Sequence, residues 1–145
     1  MPERETVERA QEDAREGKST STQAGEFVRE EMHHIREGKH GASSPQQAIA
    51  IGLSKARRAG VKLGAPKGPA ALRKKAEHDS EAGEQPHHKT SRARSRAVSG
   101  ALKKESKSAA SHQALSRQAK KSAAKRGPRA RSAAAKKAAR TRKAA

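Results

Sequence analysis

Apolar side chains return at helical intervals most clearly in one stretch of the chain. Ala24, Phe27, Val28, Met32 and Ile35 share a face, with Glu31 the one charged residue among them. Arg29, Glu30, His33 and Arg36 take the other side. The spacing predicts a helix over about 23–37. Residues 19–22 (Ser-Thr-Ser-Thr) offer caps, Gln23 stands three after Thr20, and Gly38 and Gly41 end the run. A second helix is predicted over about 45–59. Ser44 caps it, Pro45 suits the first position, and Gln47 completes a Ser-x-x-Gln box. Ala48, Ile49, Gly52, Leu53 and Ala56 form its face, and Gly60 stops it. A weaker helix over about 6–16 has only Val7, Ala10 and Ala14 to bury. Val61 and Leu63 can fold back on the pair. No strand pattern of useful length appears.

Past residue 75 the apolar pattern fades. Of 45 residues in the apolar classes 30 are alanine, and of the 15 larger ones only Val98, Leu102 and Leu115 lie in the last 57 residues. Low hydrophobicity with high charge is the signature of disorder. The expected fold class is therefore a small all-α domain of two or three short helices followed by a long intrinsically disordered basic tail. The expected organisation is a helical domain over 1–63, a Gly/Pro/acidic linker over 64–88 and a polycationic tail over 89–145. With so few large side chains, the helical part is expected to be a marginal hairpin, ordered on dimerisation or on nucleic acid.

Charge sharpens that division. Residues 1–41 carry seven basic and ten acidic groups, 42–75 eight basic and none acidic, 76–88 four acidic and no Lys or Arg, and 89–145 nineteen basic with Glu105 the single acid. The total is +19. Such a chain associates with polyanions, because each Lys or Arg set against a phosphate releases condensed counterions. The candidate nucleic-acid contacts in the first half are Lys55, Arg57, Arg58 and Lys62. Arg92, Arg94 and Arg96 alternate in a way that suits an extended segment lying in a groove. Further along come the pairs Lys103 and Lys104, Lys120 and Lys121, then Lys125, Arg126, Arg129 and Arg131. Lys136, Lys137, Arg140, Arg142 and Lys143 complete the set. Lys pairs at 103, 120 and 136 hint at a loose repeat. Gly127-Pro128 would interrupt any helix there. The acids Glu77, Asp79, Glu81 and Glu84 are expected to fold back on basic groups when DNA is absent.

Other chemistries find little support. There is no cysteine, hence no disulfide, thiolate metal site or thiol catalysis. His33, His34 and His40 lie near Glu30, Glu31 and Glu37, and His87-His88 form a second group, but no H-x-x-x-H pair exists. They read as solvated surface histidines, with no metal and no cofactor expected. No phosphate-binding Gly loop and no nucleophile constellation can be placed, so no catalytic residue and no enzyme are expected. No apolar run reaches the ~20 residues of a membrane span, and the N-terminus lacks a secretory apolar stretch. The loop between the two stronger helices is too long for a helix-turn-helix. With one aromatic residue of the Phe/Trp/Tyr class, base stacking is also disfavoured.

Two resemblances add to this reading. The Ala-Lys-Lys and Ser-Ala-Ala-Lys runs of residues 89–145 resemble the C-terminal tails of linker histones and of bacterial histone-like proteins. Residues 21–31 (STQAGEFVREE), Arg36-Glu37-Gly38-Lys39-His40-Gly41-Ala42 and residues 47–61 (QAIAIGLSKARRAGV) are similar to a family of small bacterial proteins. That family is a domain of unknown function whose members are often labelled DNA-binding, and the likeness spans about residues 17–63. It implies a bacterial protein and supplies no mechanism. The expected function is sequence-independent binding of duplex DNA through phosphates, with nucleoid-associated, linker-histone-like compaction in the cytoplasm. The alternatives are an RNA- or ribosome-associated basic protein, and a helical protein-interaction module with a polyanion-anchoring tail. A homodimer through the helical half is compatible with each, and membrane insertion with none.

Overall fold

The computed structural model describes residues 2–85 and 91–144. Among them the chain forms α1 (Arg4–Arg15), α2 (Thr20–Glu37), α3 (Pro45–Arg58), α4 (Ala70–Glu84) and α5 (Arg92–Lys104). A 3-10 turn at Lys107–Ala110 follows, then α6 (His112–Lys125) and α7 (Gly127–Ala144). The chain divides into two compact units, Met1–Ala110 and Ser111–Ala145.

Local chemistry sets the helix ends. Ser19, the first of the four hydroxyls, accepts from the Thr22 amide at 3.3 Å, so α2 starts at Thr20, three residues before the predicted start. Gly38, at φ 82°, closes α2, and the Lys39 amide returns to the His34 carbonyl at 2.9 Å. Ser44 Oγ accepts from the Gln47 amide at 3.2 Å, while Gln47 Oε1 accepts from the Ser43 amide at 2.7 Å. The capping box thus closes on the residue before the cap.

The core of the first unit joins α1, α2, α3 and the segment after α3. Phe27, Ala24, Ala10, Ala56 and Val61 are buried together, with Val7, Leu53 and Leu63 packed around them. Gly52 lets α3 meet α2 backbone to backbone, since a Cβ there would lie 2.7 Å from Val28 Cα. α4 packs on α3 through Ala76 and Asp79, with Gly83 against the carbonyls of Arg57 and Arg58. The 3-10 turn packs on α2 and α3 and buries Ala109 and Ala110.

The fold class read from the sequence is corrected here. Two or three short helices with a long intrinsically disordered basic tail are not what the chain forms; it is all-α along its described length, with no long disordered tail. Three physical facts account for the difference. Counting only large side chains undervalued alanine: among the described residues, eight of the twelve buried apolar ones are Ala, and small residues let helices approach closely. Within 91–110 the chain is also tied back to the α2–α3 loop. The Gly41 amide donates to the Leu102 carbonyl at 2.8 Å, Ala42 to Ser106 at 3.1 Å, and Arg36 Nε to the Ala110 carbonyl at 3.0 Å. In the second unit, alanine, lysine and arginine are all strong helix formers. Ser111 Oγ caps α6 through the Ala114 amide at 3.2 Å, and Gly127, at φ 73°, turns the chain between α6 and α7.

Of the segment expected as a linker, 70–84 is α4, and residues 86–88 lie outside the described residues. The same holds for the His87-His88 pair. Among the described residues no helix is long and apolar enough to cross a membrane.

Candidate nucleic-acid interface

The cations of α3 are drawn into the fold. The Lys55 ammonium sits 3.2 Å from Glu30 Oε1 and 2.7 Å from Glu31 Oε2, between two buried carboxylates. Burial works against its charge, but the two carboxylates outweigh that and hold its pKa above the usual lysine value. Arg58 reaches across to α4, placing Nε 2.9 Å and Nη2 2.8 Å from Asp79 Oδ1. Asp79 Oδ2 accepts from Ser54 Oγ at 2.7 Å, and Lys75 lies 3.6 Å away. Burial raises the Asp79 pKa, yet the Ser54 and Arg58 hydrogen bonds prevail and leave it below the usual aspartate value. Arg57 is buried, with Nη2 3.4 Å from the Gly64 carbonyl, and borders a shallow pocket with Arg73, Glu77, Glu81 and Glu84. Of the four first-half candidates, Lys62 is the one that is exposed and without a described ion pair.

Further on, the candidates are exposed and helical. Arg92, Arg94 and Arg96 sit on α5, not on an extended strand. At 3.6 residues per turn, Arg92, Arg96 and Lys103 fall on one face, and Arg94 and Lys104 lie off it.

The second unit concentrates the charge. In α6, Lys120, Lys121 and Lys125 share one side with Arg117, which the sequence reading had not selected although it stands at the same three- and four-residue spacing. Arg126 marks the turn. In α7, Arg129, Lys136, Arg140 and Lys143 recur at intervals that keep them in one stripe, about 21 Å long at 1.5 Å per residue. Lys137 flanks the stripe, and Arg131 and Arg142 lie opposite. All twelve Lys and Arg residues of 111–145 are exposed, and the segment contains no acid. Arg142 and Lys143 also complement the negative end of the α7 dipole. This unit can present a cationic stripe on each of its two helices to phosphates. It has no aromatic ring of the Phe, Tyr or Trp type, because the chain's single one, Phe27, is wholly buried in the first unit.

The chain matches no family model, no curated protein and no solved structure.

Proposed function

We propose that this protein binds duplex DNA through phosphate contacts, without strong sequence preference, and acts as a nucleoid-associated protein. The observation that carries this reading is the α6–α7 unit, with twelve exposed cations and no acidic residue. Charge of that kind makes binding strong, non-specific and salt-dependent. The compositional resemblance to linker-histone tails and the likeness of residues 17–63 to a family often labelled DNA-binding point the same way. The buried position of Phe27 favours a duplex over a single strand, which would be held by stacking.

The test is fluorescence anisotropy of the full chain on two unrelated duplexes over a salt series. Equal affinities and a steep log–log salt slope are expected. Replacing Arg129, Lys136, Arg140 and Lys143 together by glutamine should flatten that slope by about 3–4, at roughly 0.9 per lost phosphate contact. A preference of tenfold or more for one duplex overturns the non-specific reading. A duplex RNA that outcompetes DNA moves the function to RNA.

A further inference from the structure

The Glu31, His34 and His40 side chains form a second cluster, unrelated to the cationic surface. Each offers one ligand atom, and the three atoms lie within 4.8 Å of one another. Glu31 and His34 are one turn apart on α2, and the left-handed Gly38 brings His40 back beside them. The two rings meet edge to face, with centroids 6.0 Å apart. The Glu31 side chain is 1% exposed and those of His34 and His40 12% and 16%, so the cluster is largely shielded from water.

Proton accounting shows what the cluster lacks. His40 Nδ1 is 3.0 Å from the Gly41 carbonyl, which can only accept, so that nitrogen carries the hydrogen. His40 Nε2 lies 3.2 Å from Glu31 Oε1, which as a carboxylate also only accepts. A neutral His40 therefore aims a lone pair at a buried carboxylate. His34 hydrogen-bonds Glu3 Oε1 through Nε2 at 2.8 Å, and its Nδ1 lies 4.0 Å from Glu30 Oε1. In both rings an outer partner holds one nitrogen, the arrangement that orients metal-ligating histidines. Glu31 Oε2 is buried, with the Lys55 ammonium 2.7 Å away. Glu30 and Glu31 both face the Lys55 ammonium, and Glu30 also accepts from the Glu3 amide at 3.1 Å.

We propose that Glu31, His34 and His40 bind a borderline divalent transition metal of the zinc type, with a fourth position left to water. Two imidazoles and one carboxylate suit zinc rather than calcium or magnesium, which take oxygen ligands. Bonds of about 2.0–2.1 Å to a tetrahedral ion place neighbouring ligand atoms about 3.3 Å apart. The 3.2 Å between His40 Nε2 and Glu31 Oε1 already fits. The ion sits where the His40 and Glu31 ligand atoms converge, and it fastens α2 to the loop before α3.

The experiment titrates the full chain with cobalt(II) as a spectroscopic probe, then displaces it with zinc, and follows thermal melting with and without zinc. The expected result is one tightly held equivalent with the visible absorption of tetrahedral cobalt and a melting point raised by zinc. H34Q and H40Q, made separately so that one misfolded variant does not decide the matter, should each weaken binding at least tenfold and abolish the zinc-dependent shift. H33Q removes an exposed histidine that pairs with Glu37 at 3.3 Å and should bind as wild type does. The proposal is overturned by absent cobalt absorption, by unchanged binding in both H34Q and H40Q, or by loss of binding in H33Q alone.

Discussion

Asp79→Asn isolates the contact that holds α4 to α3. The side chain is buried, and its oxygens take Ser54 Oγ at 2.7 Å and Arg58 Nε at 2.9 Å. Asparagine keeps the volume and one acceptor but removes the charge. Hydrogen bonds to charged groups contribute about 1.5–3 kcal/mol each. Arg58 is half exposed, so water and salt recover part of its loss, and the net destabilisation comes to about 2 kcal/mol. In a domain of this size that lowers the melting temperature by roughly 8 °C or more. Urea unfolding followed by far-UV circular dichroism measures the midpoint, and amide exchange over 70–84 shows whether α4 opens first. Ser54→Ala shares the same partner, so the two substitutions together should cost less than their sum. The substitution also releases Arg58 toward solvent, and DNA affinity at low salt should rise. An unchanged urea midpoint together with unchanged exchange in α4 would refute the reasoning, because it would mean that the ion pair contributes nothing to docking.

Other perturbations follow from the same contacts. The Asp79 pKa is depressed on folding, so its contribution is present at neutral pH and fades as pH falls below ~4, the unfolded aspartate value; urea midpoints between pH 3 and 7 should lose that portion of the acid limb in Asp79→Asn. Gly52→Ala and Gly25→Ala should move stability in opposite directions by thermal melting. The first forces a methyl to within 2.7 Å of Val28 Cα and costs about 1–3 kcal/mol, while the second enters open space in α2 and gains up to about 1 kcal/mol. Gly41→Ala would drive its methyl into the Glu105 carbonyl, and amide exchange should show 102–110 released before α2 and α3 open.

How much of this was legible along the chain differs from element to element. The start of α3 is written in Ser44, Pro45 and Gln47, and the end of α2 in Gly38, because caps and stops act within about four residues. The +18 balance of residues 89–145 is equally plain, and its acid-free part over 111–145 is what the functional proposal rests on. The order of that segment was not legible by counting large side chains. Its first part is held by backbone hydrogen bonds to Gly41 and Ala42 and by buried Ala109 and Ala110, and no composition measure records such contacts. Glu31 gave a faint signal as a charge on an apolar face. Its partners His40 and Lys55 could not be read from spacing, since a reversal of the chain at Gly38 supplies one and α3 the other.

Sequence by itself determined the helical periods of α1 to α3, the caps of α2 and α3 and the gradient of charge, all of which depend on near neighbours or on sums. Tertiary structure alone decided which cations remain free. Lys55 and Arg58 look like phosphate ligands in the sequence, yet their carboxylates stand 25 and 21 residues away and meet them only when α2 and α4 pack on α3. Burial then fixes those pairs, since a charge removed from water keeps the partner that packing has set beside it. The second unit contains no acid of its own to pair with the cations of α6 and α7, and those cations are exposed.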